Sequence, residues 1–178
     1  MDGYNQSFIE KARKVKLIIF DVDGVFTDGT IFVDDNGIET KAFNVLDGQG
    51  IKFLQQTPVQ IAIISGRNAK GVEIRMKQQL GIEHVFLGDT NKLPIYEKLL
   101  KQLNIMDQEV AFVGDDLPDL PILKRVGLPM TVPGAVAAVM KAAAFVTKNQ
   151  GGKGAVREVC EAIMSAQGTW ESIVKRYL

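Results

Sequence analysis

The chain has 178 residues, 46% hydrophobic and 24% charged, which suits one globular domain with a core of its own. Lys plus Arg and Asp plus Glu number 21 each, so no strong overall field draws the chain to nucleic acid or to an anionic membrane. Cys160 is the single cysteine, which excludes an internal disulfide framework and fits a reducing cytoplasm.

In chain order, residues 1–14 are polar and mixed in charge and lack the apolar core of a signal peptide. No apolar run approaches the ~20 residues of a membrane helix. Residues 15–20, apolar apart from Lys16, read as a buried strand. Residues 59–64, Gln60 excepted, read as another, and 85–87, 110–113 and 145–146 are shorter candidates. Runs with few polar interruptions mark strands covered on both faces, as in a parallel sheet. Helices fit between them. Asp47-Gly48 precedes Ile51 and Leu54, one turn apart. Asn68 can cap a helix that stacks Val72, Met76 and Leu80 and stops at Gly81. Residues 91–103 repeat the spacing with Ile95, Leu99 and Leu103, and residues 154–167 with Val156, Val159 and Ile163. This alternation predicts an α/β fold, a doubly wound parallel sheet in a single domain over residues 1–178.

Two segments depart from that pattern. Residues 30–33 and 38–43 are strand-like on either side of Asp35-Asn36-Gly37, a hairpin signal. The apolar Ile31, Val33 and Ile38 then need cover, either from a partner subunit or from the hairpin folding back. Beyond residue 168 the tail is amphipathic, with Trp170, Val174 and Leu178 on one helical face that suits docking. His84, Cys160, Met76 and Met140 read as structural.

The chemistry concentrates at strand ends. The first candidate strand runs into Asp21-Val22-Asp23-Gly24. Side chains alternate along a strand, so Asp21 and Asp23 project to one side while Val22 packs the other way. In open α/β sheets the ligand crevice lies at the carboxyl ends of strands. An EF-hand loop is excluded: Val25 and Phe26 stand where an acidic or amide residue and Gly are required, and the segment follows a strand. The second strand ends in Ser65-Gly66-Arg67, a hydroxyl and backbone amides suited to phosphate oxygens. Lys92 opens a helix, where a cation opposes the helix dipole unless an anion faces it. A fourth run ends in Gly114-Asp115-Asp116-Leu117-Pro118-Asp119, and clustered carboxylates call for a hard cation such as Mg2+. Gly151-Gly152-Lys153-Gly154 is not a P-loop, since no Ser or Thr follows the lysine.

These four elements, in this order, resemble the haloacid dehalogenase superfamily over nearly the whole chain. The resemblance implies that Asp21 is a phosphoryl-accepting nucleophile and metal ligand. It implies that Asp23 is the general acid and base and binds metal through its backbone carbonyl. Ser65 and Lys92 hold the phosphoryl group, Asp115 ligates Mg2+, and Asp116 and Asp119 orient Lys92 or waters. Between Asp23 and Ser65 there is room only for the hairpin and one helix, so no cap domain is expected. Residues 23–29, 43–50, 65–67, 114–121 and 151–158 resemble the capless 3-deoxy-D-manno-octulosonate (KDO) 8-phosphate phosphatases of lipopolysaccharide biosynthesis. Those are typically cytoplasmic homotetramers with centrally meeting hairpins. Leu46 departs from the Arg expected before Asp-Gly, which keeps other sugar phosphates open, such as 2-keto-3-deoxynonulosonate 9-phosphate. Arg67 suits a substrate carboxylate, and Lys153 is expected near substrate. A phospho-accepting receiver module is the other class, but its acceptor would end the strand that here ends in Ser65.

Overall fold

A computed structural model describes residues 4–178. Six strands form one parallel sheet: β1 (Leu17–Phe20), β4 (Gln60–Ser65), β5 (His84–Leu87), β6 (Val110–Val113), β7 (Leu128–Thr131) and β8 (Phe145–Val146). Their order is β5-β4-β1-β6-β7-β8, so β1 is central, with β4 and β6 on either side. Leu17 is in register with Gln60 on one flank and Val110 on the other. The three motif-bearing strands therefore end side by side.

Alternation along β1 divides the core. Ile18 and Phe20 face one apolar layer, while Leu17 and Ile19 face the other. The first layer is closed by α1 (Gln6–Ala12), α2 (Val45–Leu54), α3 (Lys70–Glu73) and α7 (Ala155–Ala166). The second is closed by α4 (Lys92–Leu103), α5 (Leu120–Leu123) and α6 (Ala137–Ala142). This is the doubly wound sheet that the alternation predicts. Among the described residues no helix is long and apolar enough to cross a membrane.

Several details differ from the sequence reading. β7 contains Pro129, which disguises a strand because proline cannot donate to a ladder. Asn68 does not cap α3, whose N-cap is Ala69, and the helix continues as a wide π-type turn over Ile74–Gln79. The α2 helix begins ahead of Asp47-Gly48, capped by the Asn44 side chain on the Leu46 amide. Asp47 is thus inside the helix and buried, accepting from the amides of Gly154 and Arg157 at the start of α7. On α4 the buried stripe is Lys92, Tyr96, Leu99 and Leu100, with Ile95 and Leu103 only half-buried.

The hairpin is shorter than expected. Only β2 (Phe32–Val33) and β3 (Glu39–Thr40) pair, with Phe32 opposite Thr40. Asp34 accepts from the amides of Asn36 and Ile38 and closes the turn. Phe32, Val33 and Ile38 are each about 60% exposed, so the hairpin does not fold back onto its own core. In the tail, α8 (Trp170–Val174) docks on its own chain. Trp170 meets Phe53 edge-on and Ile173 is buried, but Val174 is only half-buried and Leu178 is wholly exposed, so the anchoring face is not the expected one.

Candidate active site

A cleft of about 300 Å3 opens at the carboxyl ends of β1, β4 and β6. Asp21, Asp23, Ser65, Gly66, Arg67, Lys92, Asp115, Asp116 and Asp119 all line it. A larger cavity of about 880 Å3 lies at the opposite edge, around Val15, Val59 and Glu109 at the strands' amino ends. None of the sequence motifs reaches it, and open α/β sheets bind ligands at the carboxyl edge.

Asp21 follows β1 directly and is almost fully buried. Its Oδ1 accepts from the Val22 amide at 2.7 Å and lies 3.0 Å from Lys92 Nζ. Lys92 is carried inward because it occupies the buried face of α4, one turn ahead of Tyr96. Its Nζ also donates to Asp119 Oδ1 at 2.6 Å. Asp119 Oδ2 in turn accepts from the amides of Asp115 and Asp116, at 3.0 and 3.2 Å. One buried carboxylate thus fixes both the lysine and the turn that presents Asp115. Asp116 does not touch Lys92. Its Oδ1 accepts from the Leu117 amide and caps the short turn Leu117–Asp119.

After Asp21 the chain winds back, with the Phe26 amide donating to the Val22 carbonyl. Gly24 has φ +84, and a Cβ there would stand 2.0 Å from Asp115 Oδ2. Only glycine lets the two acidic loops approach so closely. Gly151 is equally tight: a Cβ on it would meet the Gly24 carbonyl oxygen at 1.7 Å. The glycine loop is therefore packed behind the Asp23 loop and does not lie over the cleft. Lys153 stays outside the cleft, highly exposed, with Nζ 3.9 Å from Asp28.

The acids crowd one another. Burial pushes Asp21 up to about 6, with Lys92 pulling the other way. Burial, then the Asp21 and Asp119 charges, raise Asp115 to about 7. Burial works against the Lys92 charge, yet Asp21 and Asp119 outweigh it and its pKa rises. Oxygens of Asp21, Asp115 and Asp119 lie within 4.8 Å of one another. Asp119 has both oxygens engaged, whereas Asp115 Oδ1 is buried without a hydrogen-bond partner among the described residues. Such a donor set fits a hard divalent cation held by Asp21 and Asp115, with Asp119 as their brace.

Sequence reasoning missed three contributors. Lys41, at the base of the hairpin, places Nζ 2.5 Å from Asp23 Oδ1, with only 3% of its side chain exposed. Glu39, two residues earlier, pairs with Arg67. Thr90 lines the cleft and contacts the Gly66 turn. Period-two spacing of Glu39 and Lys41 signals a shared strand face, but nothing in the sequence shows that the face meets the cleft.

The geometry agrees with what the chain is similar to. Residues 82–159 match the haloacid dehalogenase-like hydrolase family. The 3-deoxy-D-manno-octulosonate 8-phosphate phosphatase KdsC of Escherichia coli (strain K12) is 48% identical over 160 residues, 90% of this chain and 85% of that protein. A solved Moraxella catarrhalis phosphatase of the same name, in complex with magnesium ion, phosphate ion and a KDO molecule, superposes with TM-score 0.95. It is 38% identical and covers 98% of this chain and 100% of its own. The Yersinia pestis phosphatase structure gives TM-score 0.91 at 44% identity, over 93% and 89% of the two chains. The chain belongs to the haloacid dehalogenase-like hydrolases, in the family of 3-deoxy-D-manno-octulosonate 8-phosphate phosphatases.

Proposed function

We propose that this chain is a Mg2+-dependent phosphomonoester hydrolase that converts KDO 8-phosphate to KDO and phosphate in lipopolysaccharide biosynthesis. The carrying observation is the buried Asp21 carboxylate at the end of β1, set against Lys92 and beside the unpartnered oxygen of Asp115. Support for the substrate comes from the relatives, which share that name and activity.

The placements support the following roles. Asp21 attacks phosphorus and forms an aspartyl phosphate, splitting one hard hydrolysis into two steps. Ser65 and Lys92 hold the phosphoryl oxygens, and the Gly66 backbone leaves room for them. Asp21, Asp115 and the Asp23 carbonyl would hold Mg2+, which would supply positive charge against the phosphoryl oxygens. Asp119 holds Lys92 and the Asp115 loop in place, and Asp116 stabilises that loop. Asp23 gives a proton to the leaving sugar oxygen and later removes one from the attacking water. Arg67 stands at the mouth and can take the sugar-acid carboxylate in a bidentate fork while keeping Glu39. Lys153 reaches substrate only through a rearrangement or from a neighbouring copy.

The chain acts as one domain over residues 1–178 and without a cap. The exposed Phe32, Val33 and Ile38 support assembly through the hairpin, and we propose a homotetramer. The unpaired, buried Cys160 suits a reducing cytoplasm. Leu46 is exposed and lies outside the cleft, so its departure from Arg leaves the cleft of its own chain unaltered. The test is phosphate release across sugar-acid phosphates with Mg2+ or EDTA. KDO 8-phosphate is expected to give the highest kcat/KM, and EDTA to abolish turnover. A higher efficiency on 2-keto-3-deoxynonulosonate 9-phosphate reassigns the substrate.

A further inference from the structure

We infer that Lys41 is a positioning residue that holds the Asp23 carboxylate in place for the proton transfers. The inference rests on Asp23 being the acid–base group proposed above.

Asp23 lines the cleft, and its two oxygens have different surroundings. Oδ1 takes the Lys41 ammonium at 2.5 Å. Oδ2 is buried and has no hydrogen-bond partner among the described residues. A carboxylate on a short side chain can rotate about its terminal bond, which is broad and roughly two-fold. A cation fixed on one oxygen removes that freedom. The Lys41 side chain is itself nearly fully buried, so the clamp is held by packing and not by a solvated tether. Lys41 does not line the cleft, and its buried ammonium is taken up by Asp23. That placement suits a residue acting through Asp23 and not one binding phosphate. Glu39, two residues before Lys41, pairs with Arg67, though both of these side chains are partly exposed. The hairpin strand therefore contacts two cleft residues, and only the contact with Asp23 is buried on the hairpin side.

In the first step the Asp23 carboxyl gives its proton to the sugar oxygen as the P–O ester bond breaks and the Asp21–phosphorus bond forms. In the second, the Asp23 carboxylate takes a proton from water as the water oxygen attacks phosphorus and Asp21 leaves. Misplacement of Asp23 slows the first step only where the leaving oxygen needs a proton.

The experiment compares wild type, Lys41→Met and Lys41→Arg on KDO 8-phosphate and on p-nitrophenyl phosphate, whose phenolate leaves unprotonated. The parameter kcat/KM covers steps up to loss of the alcohol, so hydrolysis of the aspartyl phosphate drops out of it. Lys41→Met is expected to lower kcat/KM on the sugar phosphate on the order of 10^2-fold, the lower end of what a placed acid–base group contributes. The loss should sit in kcat with KM little changed. The aryl ester should change less than about threefold, about half of the barrier change that a tenfold loss represents. Lys41→Arg, which keeps a cationic donor, should recover part of the loss and serves if the Met variant fails to fold. Adding Lys41→Met to Asp23→Asn should cost nothing further, since the clamp then has no acid to aim. Equal losses on both esters, a loss confined to KM, additive losses in the double variant, or wild-type behaviour of Lys41→Met each overturn the inference. Full activity in Asp23→Asn alone instead overturns the acid–base assignment on which it rests.

Discussion

The floor of the cleft and its rim are built on opposite terms. On the floor, Asp21, Lys92 and Asp119 are buried, mutually paired and fixed to strand ends of the sheet. At the rim, the hairpin rests on a two-residue ladder and exposes Phe32, Val33 and Ile38. Buried charges demand partners within the chain, because an unpaired ion in a low-dielectric interior is costly. Exposed apolar groups make no such demand on the chain, and their partner can be another molecule. The floor pairs its buried lysine with two carboxylates of its own chain, whereas the rim presents a surface that this chain leaves open.

The sharpest break in that contrast is Asp21→Asn. The amide keeps the shape of the floor but cannot form the aspartyl phosphate, so turnover should fall on the order of 10^4–10^6-fold, as when a catalytic unit loses its nucleophile. Phosphate release measures it, and a single cooperative thermal transition shows that the floor is still folded. Wild-type turnover in that variant removes Asp21 from the chemistry.

Lys92→Met comes next. It leaves Asp21 and Asp119 facing each other without their cation, and breaking a buried pair from one side costs about 3–5 kcal/mol. Urea unfolding in EDTA measures the loss. A change below ~1 kcal/mol, typical of an exposed ion pair, would mean that the floor is solvated after all.

A smaller effect links protons to metal. The folded pKa values of Asp21, about 6, and Asp115, about 7, both exceed the ordinary 3.8. A carboxyl raised on folding contributes stability that is fully present below its unfolded pKa and is lost as pH rises through its folded one. Metal-free protein should therefore lose this contribution between about pH 4 and 7. Mg2+ binds the ionised forms, so its stabilising effect should grow over the same window, approaching about 2.7 kcal/mol at a hundred times its Kd. The difference in Tm between Mg2+ and EDTA, measured from pH 5 to 8, checks this. A difference that does not vary with pH removes the acids from the metal site.

The same contrast explains what was legible. Asp21, Ser65 and Asp115 follow apolar runs, and the sheet brings those run ends together, so strand pattern and motif chemistry point to one place. Lys92 was legible too, as a cation at a helix start that needs an anion. Asp47 was not: its spacing suits a turn, and only the packed structure shows it accepting from the α7 amides. Nor was Lys41, because its contact with Asp23 spans 18 residues and depends on how a short hairpin is tilted. Local pattern fixes which face a residue occupies, but not what that face meets. β7 was hidden for a local reason, since Pro129 contradicts a strand interior.

The smallest effect on the chain itself is expected at the rim. Phe32→Ser and Ile38→Ser together remove apolar groups that already stand in solvent, each about 60% exposed. Surface changes of this kind usually fall within about 0.5 kcal/mol, so monomer stability should scarcely move. If a second copy covers the hairpin, the same substitutions remove the apolar core of that contact, and light scattering should show the assembly dissociating. An unchanged assembly places the subunit contact elsewhere. A monomeric wild type leaves the exposed hairpin unexplained by self-association. A large loss of monomer stability would mean that the hairpin packs on its own core, and the distinction between floor and rim would then fail. Because Lys41 and Glu39 lie at the base of this hairpin, dissociation should also lower turnover if neighbouring copies hold that base in place.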